Sequence, residues 1–279
     1  MSIMVLDSVR YIKKKFDFIP QFAIVLGSGL GSAADMIFQN KRIVIPYSDI
    51  PNFPRPSVVG HQGNLVLGLC DKKPVAIMQG RFHLYEGHPA EIVIYPIQVL
   101  AELGVKTLIL TNAAGGLNPR NPVGSLVVIN DQINLMFQRG CNRIKDRCQI
   151  SDVRCKINSL IANLTVYDTF LIRLTEKIAK QEKIKIATGV YIGALGPSYE
   201  TPAEIKMFQK MGGDMIGMST VLESVIANQL GLKVLGISCV TNLAAGINLQ
   251  KLNHQEVIDI SRKTSYNLAK LLKNLITAI

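Results

Sequence analysis

The sequence predicts an α/β fold in a single domain that spans residues 1–279. Three observations lead to this class. Hydrophobic residues make up 48% of the chain, which is too many for a disordered protein. Short apolar runs alternate with longer amphipathic segments, which is the rhythm of strands and helices in α/β proteins. No internal repeat and no linker rich in Gly, Ser or Pro separates the chain into two domains.

Strands are predicted at the short apolar runs. In chain order the predicted strands are Phe22–Leu26, Leu65–Leu69, Pro74–Met78, Thr107–Thr111, Leu126–Ile129, Ala187–Gly193, Met215–Gly217 and Val234–Val240.

Helices are predicted at the longer amphipathic segments, several of which carry start signals. Thr201–Glu204 has the spacing of a capping box with proline at the first helical position. The same spacing of cap and acid recurs at Thr220–Glu223 and Asn253–Glu256. Pro96 should kink its helix or mark the helix start. In chain order the predicted helices are Ile3–Lys15, Pro89–Leu103, Asp168–Glu182, Pro202–Met211, Leu222–Leu230 and His254–Leu275.

The positive charge of the chain is interpreted as non-specific surface charge, although it would allow an anionic ligand. There are 31 Lys and Arg against 20 Asp and Glu, a formal net charge of +11, which is compatible with nucleic acid or an anionic small molecule. The basic residues are dispersed, with denser groups only at Lys13–Lys15 and Arg139–Lys156, and the chain has no Trp. A base-stacking surface would need aromatic residues among the basic ones. We therefore expect no specific nucleic-acid partner.

Composition also predicts a cytoplasmic protein with no membrane partner. No apolar run approaches the roughly 20 residues that span a bilayer. The N-terminal apolar stretch contains Asp7 and Arg10, which makes it a poor signal peptide. Five scattered Cys fit reduced thiols better than a disulfide framework.

The first candidate for chemistry is the glycine-rich segment that follows the first predicted strand. Gly27–Gly31 reads Gly-Ser-Gly-Leu-Gly, and glycines let a backbone turn its N–H groups toward an anion. Ser28 adds a hydroxyl donor. The segment is neither a Walker A loop nor Gly-x-Gly-x-x-Gly. It is therefore either an anion cradle or a tight turn from strand to helix.

The second candidate is Gln79–His88, which follows the strand Pro74–Met78. Arg81, His83 and Tyr85 alternate, so that an extended chain would point all three the same way. A guanidinium beside an imidazole suits a phosphate dianion. The other interpretations are a solvated surface loop and a metal site, although no third clear ligand lies nearby.

Further polar residues follow other predicted strands or precede helices. Small residues in Thr111–Gly116 would let a ligand approach the backbone at a strand end, or would simply form a tight turn. Tyr199 could stack on a base and Glu200 could accept its hydrogen bonds, or Glu200 could merely favour the next helix through the helix dipole. Ser219 is either a second anion donor or a helix cap. Asn242 offers a donor and an acceptor to a heterocycle edge.

Seven segments occur in the same order and spacing in a known family. They are Gly27–Gly31, Gly60–Gly63, Gln79–His88, Thr111–Pro119, Gly196–Thr201, Gly217–Thr220 and Asn253–Val257. Over nearly its whole length, the chain resembles the trimeric purine nucleoside phosphorylases that prefer 6-oxopurines. The resemblance implies a single domain with a central mixed twisted β-sheet flanked by helices. It also implies a homotrimer that cleaves purine nucleosides with phosphate in purine salvage.

The resemblance further implies roles for twelve residues. Phosphate would be held by Ser28, His61, Arg81, His83, the Ala113 backbone N–H and Ser219. The ribose would be lined by Tyr85, Met218 and His254, with His254 reaching the 5′-hydroxyl. The purine would be bound by Tyr199, Glu200 and Asn242. The catalytic set would be His83, Glu200, Asn242 and His254.

The implied chemistry needs no cofactor and no metal. Breaking the bond between N9 and C1′ creates an oxocarbenium-like sugar and a purine anion. A bound phosphate, the co-substrate, can stabilise and attack that cation, which gives α-ribose 1-phosphate with inversion. Asn242 near N7 would stabilise the charge on the leaving base. No carboxylate pair of the glycosidase type is then required.

The middle of the chain departs from the family pattern. Gln132 stands where the family usually has His, and Leu222 replaces a usual Pro. Residues 136–164, predicted as a long loop, lack the family's recognisable segment. In the family that segment supplies a Phe to the neighbouring subunit's sugar site, and an ungapped count places Leu160 nearest to it.

These departures leave two alternative functions open. One is a nucleoside-binding homologue with reduced turnover because of the altered residues 136–164. The other is a methylthioadenosine phosphorylase, which usually places an acid near N7, so that Asn242 argues against it. Cys141, Cys148 and Cys155 also lie in the altered stretch. Zinc would need tighter pairs and a fourth ligand, and we expect ordinary thiols.

Overall fold

The computed structural model describes residues 2–38, 42–55, 61–136, 166–247 and 254–279, with residues 254–256 described by their backbone alone. The strands are β1 Phe22–Leu26, β2 Ile43–Pro46, β3 Asn64–Cys70, β4 Lys73–Gln79, β5 Thr107–Gly116, β6 Leu126–Asn134, β7 Ile186–Gly193, β8 Met215–Gly217 and β9 Lys233–Leu243. The α-helices are α1 Ile3–Lys13, α2 Ala33–Ile37, α3 Ala90–Leu103, α4 Thr169–Gln181, α5 Pro202–Lys210, α6 Val221–Gln229 and α7 His254–Ala278.

All nine of these strands belong to one mixed sheet. β1 lies between β4 and β5 and is parallel to both. β5 is also parallel to β9, so the carboxyl ends of these four strands meet at one edge of the sheet. On the far side, β2 and β3 continue the sheet as antiparallel neighbours of β4. The mixed α/β sheet that the sequence resemblance implied is confirmed.

Five strands of this sheet close into a ring. β5 pairs with β8, β8 with β7, β7 with β6, β6 with β9, and β9 returns to β5. We call these strands the five-strand ring. Closing a sheet removes exposed strand edges, because every strand has a hydrogen-bonded neighbour on each side.

Apolar layers lie on both faces of the sheet, since side chains alternate along each strand. Ala23 and Val25 of β1 face the layer that receives α1, α3 and α6. Phe22, Ile24 and Leu26 face the layer that receives α2, α4 and α7. β1 is therefore buried on both sides, as parallel strands between two helical layers are. The helices flank the sheet as predicted.

The sequence located most elements and missed two short ones. All eight predicted strands and six predicted helices are present, most with ends shifted by one to a few residues. β2 and α2 were not predicted. Helix α3 continues through Pro96 rather than starting there, so the expectation of a helix start at Pro96 is wrong. Pro96 has no N–H to donate to the carbonyl of Ile92, and the helix keeps its other bonds.

The predicted helix starts are built as the spacing indicated. Thr201 Oγ1 accepts from the Glu204 N–H at 3.3 Å, and Glu204 Oε2 accepts from the Thr201 N–H at 2.7 Å. Thr220 precedes α6 and its N–H donates to Glu223 Oε2 at 3.1 Å. Asn253, the third predicted cap, lies outside the described residues.

Within the described ranges, no helix is both long and apolar enough to cross a membrane. Cys70 and Cys239 are buried free thiols, and burial raises the pKa of Cys239 to about 11. The other three Cys lie outside the described residues. In the same described part of the chain, no three His, Cys, Asp or Glu side chains group as metal ligands would.

Candidate active site

One pocket forms where the parallel strands end. Its walls come from the turns after β1, β4 and β8, the C-terminal halves of β5 and β9, and the segment between β7 and α5. Open α/β sheets usually bind ligands at this edge. The cavity volume of this pocket is about 120 Å³.

Ten of the twelve predicted site residues line this pocket. They are Ser28, Arg81, His83, Tyr85, Ala113, Tyr199, Glu200, Met218, Ser219 and Asn242. His61 stands behind Ser28 rather than in the lining. His254 begins α7, and its side chain lies outside the described part of the structure.

The turn after β1 depends on glycine because two other elements press against it. A Cβ on Gly27 would lie 2.8 Å from the Asn112 Cα. Gly29 has φ +74°, and a Cβ there would lie 2.7 Å from the Ser261 Cβ of α7. The turn is therefore the tight connection that one of the two interpretations expected. It leads from strand to helix, and it presents Ser28 to the pocket.

His61 orients the Ser28 hydroxyl. The Arg81 backbone N–H donates to His61 Nδ1 at 2.8 Å, and His61 Nε2 lies 3.0 Å from Ser28 Oγ. Because Nδ1 accepts, the proton of a neutral imidazole sits on Nε2 and is donated to Ser28. The Ser28 hydroxyl hydrogen then remains to be donated to a ligand.

Arg81 provides a buried cation beside that hydroxyl. Its side chain is only 2% exposed. Nη1 donates to the Thr111 carbonyl at 2.7 Å and to Ser219 Oγ at 3.1 Å, while Nε donates to Glu223 Oε1 at 3.2 Å. Nη2 is buried without a hydrogen-bond partner. A buried guanidinium nitrogen normally finds an acceptor, so this atom is suited to an anion.

Ser219 is presented by a strained turn. Thr220 has φ +70° and ψ −46°, and the Val221 N–H donates to the Ser219 carbonyl at 2.7 Å. This is a γ-turn with positive φ, which is rare and costly for a β-branched residue. Thr220, not Ser219, is the cap of α6. Of the two interpretations left open for Ser219, the structure favours the pocket-facing hydroxyl.

His83 and Tyr85 line the pocket together. The His83 Nδ1–H donates to Glu86 Oε1 at 2.9 Å, which leaves Nε2 as the ring nitrogen available to a ligand. The His83 and Tyr85 rings stack with centroids 4.7 Å apart. Burial raises the pKa of Tyr85 to about 12, so its hydroxyl stays neutral. Leu84–Glu86 forms a 3₁₀ turn instead of the expected extended chain, yet Arg81, His83 and Tyr85 all reach the pocket.

The opposite part of the pocket has an acid, an amide and an aromatic ring. Burial raises the pKa of Glu200, opposed by a hydrogen bond from its own backbone N–H. Thr241 Oγ1 donates to Asn242 Oδ1 at 3.0 Å, and Asn242 Nδ2 donates to the Leu243 carbonyl at 3.3 Å. Because a carbonyl can only accept, Nδ2 is the donor side of the amide. Tyr199 is 43% exposed, so it stands at the mouth. A flat heterocycle with donor and acceptor edges fits these groups.

Sequence reasoning missed Asn112 in the pocket lining and Glu223 behind it. Glu223 bonds Arg81, and Asn112 Nδ2 donates to Thr220 Oγ1 at 2.9 Å while Asn112 Oδ1 is buried without a partner. Glu223 carried a signal, but only that of a helix cap. Asn112 lay in a segment read as small residues.

The altered segment is the stretch 136–164 that departs from the family pattern, and only Met136 of it is among the described residues. Residues 137–164, with Leu160, Cys141, Cys148 and Cys155, lie outside the described residues. Gln132 is described, and its Oε1 accepts from Tyr167 Oη at 2.7 Å and Ser224 Oγ at 2.9 Å. Two hydroxyl donors thus satisfy the side-chain oxygen of Gln132, which stands where the family usually has His.

Comparison with known proteins gives a consistent picture. Residues 21–277 match the model of the phosphorylase superfamily. Purine nucleoside phosphorylase 1 of Geobacillus stearothermophilus is 44% identical, with 97% of this chain and 95% of that protein aligned. The purine nucleoside phosphorylase of Mus musculus is 37% identical, over 98% of this chain and 93% of that one.

Solved structures agree with the sequence relatives. The crystal structure of Schistosoma mansoni purine nucleoside phosphorylase in complex with inosine superposes with a TM-score of 0.83 at 34% identity, covering 99% of this chain and 96% of that one. A Schistosoma purine nucleoside phosphorylase in complex with guanosine gives a TM-score of 0.80 at 33% identity, covering 98% of this chain and 95% of that one.

Proposed function

The chain belongs to the phosphorylase superfamily, and from this premise we propose that it is a purine nucleoside phosphorylase. It cleaves inosine, guanosine and their deoxy forms with phosphate, reversibly, to the free purine and α-(deoxy)ribose 1-phosphate. The observation that carries the proposal is the unpartnered Arg81 Nη2, which shares one pocket with Glu200 and Asn242. Their common pocket supports an anion site next to a heterocycle site.

Phosphate binds at the Arg81 end of the pocket. Arg81, Ser28, Ser219, His83 and the Ala113 backbone N–H donate to its oxygens, and His61 acts through Ser28. The Ser28 hydroxyl hydrogen, left over after His61 has donated, supports this assignment. Charge-assisted hydrogen bonds of this kind are the strong ones in proteins.

The purine binds between Tyr199, Glu200 and Asn242. The Glu200 carboxylate accepts from the N1–H of a 6-oxopurine, and Asn242 Nδ2 donates to N7. Tyr85, Met218 and His254 line the ribose. The Leu243 carbonyl identifies Nδ2 as the donor side of Asn242, and this supports a hydrogen bond from Nδ2 to an accepting N7.

The reaction is a displacement at C1′. A phosphate oxygen forms a bond to C1′ as the bond between C1′ and N9 breaks, and the electron pair of that bond leaves with the purine. Asn242 stabilises the purine anion at N7, and phosphate stabilises the cationic sugar. Attack from the face opposite the base gives the α-anomer. Phosphate is the co-substrate, and the reaction needs no cofactor.

The protein acts as a homotrimer in the cytoplasm, in purine salvage. These finer points rest on the family resemblance and on a chain rich in apolar segments with scattered thiols.

Cleavage of inosine and guanosine in phosphate-free buffer, with and without added phosphate, tests the function. We expect release of hypoxanthine or guanine only with phosphate, and little release of adenine from adenosine. Base release without phosphate would identify a hydrolase. Bound nucleoside without cleavage would identify a binding homologue, and cleavage of methylthioadenosine but not inosine would identify a methylthioadenosine phosphorylase.

A further inference from the structure

Glu223 is a buried acid close to the anion end of the pocket. It is 3% exposed and is not among the residues that line the pocket. A carboxylate near an anion site repels the ligand, so electrostatic attraction cannot explain its place there. Its contribution must come from geometry.

Each oxygen of Glu223 holds a different wall of the anion site. Oε1 accepts from Arg81 Nε at 3.2 Å, and Oε2 accepts from the Thr220 N–H at 3.1 Å. Arg81 follows β4, whereas Thr220 is the centre of the γ-turn after β8. One carboxylate therefore ties together two segments that lie far apart in the chain.

Ser219 completes the connection. Its hydroxyl accepts from Arg81 Nη1 at 3.1 Å and lies 3.1 Å from Thr220 Oγ1. The strained φ of Thr220 sets the direction of Ser219, and the bond to Glu223 helps to hold that strain. Moving Glu223 would therefore change both the guanidinium and the hydroxyl that meet the ligand.

The helix cap alone does not account for Glu223. Thr201 and Glu204 form the same capping pattern at α5, where Glu204 is exposed and accepts from the Thr201 N–H and hydroxyl. An acid can therefore cap a helix while it is exposed to solvent, and capping does not require the burial of Glu223. Burying a carboxylate is costly without a cation, and Arg81 supplies that cation.

We propose that Glu223 is a positioning residue of the phosphate site, an inference that rests on the proposed function. It fixes the Arg81 guanidinium and the Ser219 hydroxyl at the separation that a phosphate requires, without touching phosphate itself. The sign of the effect separates geometry from charge. Loss of the negative charge alone would tighten phosphate binding, whereas loss of the positioning weakens it.

The test compares Glu223→Ala, Glu223→Gln and the matched capping control Glu204→Gln. We measure the phosphate KM at saturating inosine, the inosine KM at saturating phosphate, and protection from thermal unfolding by inorganic phosphate alone. In Glu223→Ala the phosphate KM should rise about tenfold or more, as expected for losing one hydrogen bond to a charged group, with little change in the inosine KM. Glu223→Gln should lie between, because its carbonyl oxygen can still accept from Arg81. Glu204→Gln should leave the phosphate KM unchanged.

Two outcomes would overturn the proposal. One is a phosphate KM that is unchanged or lower in folded Glu223→Ala. The other is a fall in kcat together with a rise in the KM of both substrates in the Glu223 variants, which would indicate a general structural role. If Glu223→Ala does not fold, an unchanged phosphate KM in Glu223→Gln decides against it.

Failure of the proposed function has a different signature. It would show as wild-type protein without phosphate-dependent cleavage. Phosphate protection from heating would still compare the wild type with Glu223→Gln in that case. Equal protection of the two proteins would reject the positioning role.

Discussion

Arg81 combines three satisfied contacts with one nitrogen that lacks a partner. Arg81→Lys keeps the charge but loses the planar fork that meets an anion with two hydrogen bonds. We expect the phosphate KM to rise about tenfold or more, with the inosine KM little changed. Steady-state kinetics with phosphate varied would measure this. The exposed Arg173→Lys is the control, and an unaltered phosphate KM in Arg81→Lys would place the anion site elsewhere.

Asn242 is the residue that we propose recognises N7 of the base. Asn242→Asp replaces the Nδ2 donor with an oxygen, which repels the charge developing on the purine. Removing a single donor of this type lowers kcat by about a hundredfold or more. We expect such a loss with inosine and a smaller loss with adenosine, measured as the ratio of the two kcat/KM values. Unchanged inosine kinetics would refute the contact.

Glu200 should give base binding an acid limit. Burial raises the pKa of this carboxyl, so protonation begins at a higher pH than for an ordinary glutamate. In the proposed base site the ionised form of Glu200 accepts from the purine, and this form is lost as the pH falls through the raised pKa. Inosine affinity in phosphate-free buffer should therefore fall on acidification, while Glu200→Gln should bind weakly at every pH. Titrating without phosphate removes the ionisation of phosphate from the profile.

The same raised pKa acts in the opposite sense on stability. A folded state that holds its proton more tightly than the unfolded chain is favoured at low pH. The contribution of Glu200 to folding therefore declines as the pH rises from the unfolded value of about 4.3 through the raised folded pKa. Glu200 thus opposes stability where it serves binding.

Pocket residues could be predicted from the sequence only where they lie in a recognisable motif. The polar residues after β1 and β4 reach the pocket as the sequence indicated, because these parallel strands end together. The residues after β7 reach it as well, although β7 is parallel to β8, which is antiparallel to β5. Glu223 and Asn112 were missed because their partners are distant in the chain. A local pattern shows that an acid follows a threonine by three positions, but not which cation is folded onto it.

Among the elements, the C-terminal helix α7 has a capping device outside its own sequence. Lys73 Nζ donates to the carbonyls of Ile276 and Thr277 at 2.9 and 3.0 Å. These are last-turn carbonyls that lack helical partners. Lys73→Met should lower the free energy of unfolding by about 1 kcal/mol and leave kcat unchanged. Denaturant unfolding would measure it, with the exposed neighbour Lys72→Met as control. Equal effects of the two substitutions would exclude a specific cap.

Element boundaries reveal what the sequence pattern could not supply. β2 is a four-residue edge strand with only Ile45 fully buried, so its apolar pattern is weak. α2 has five residues, too few for a helical period. β5 runs on to Gly116, although Thr111–Gly116 resembles a turn, because Gly115 and Gly116 pair with both β8 and β9. Pairing partners, not propensity, decide that strand.

At the scale of the whole molecule, the proposed homotrimer can be tested by measuring the mass of the assembly. If the protein is a homotrimer, light scattering during gel filtration should give a mass three times that of one chain, stable on dilution. A monomer that still cleaves inosine would contradict the proposed assembly and separate activity from it. A monomer without activity would assign the loss to the missing subunit contacts.

The α/β class and the order of elements could be predicted from alternating apolar and amphipathic segments. The five-strand ring could not, because its closing pair joins β5 to β9 across more than a hundred residues. Nothing in either strand's composition distinguishes a closed from an open sheet.

The ring has a consequence for how the protein is made. β9 is its last strand to leave the ribosome, and it carries Asn242 while pairing with β5 and β6. Before β9 has left the ribosome, the nascent chain contains Ser28 and Arg81, but the five-strand ring is open and Asn242 is not yet in place. Domains generally fold as units during synthesis. A protein truncated before β9 would therefore lack part of the pocket, and β5 and β6 would each have an unpaired edge. We expect such a protein to be inactive rather than weakly active.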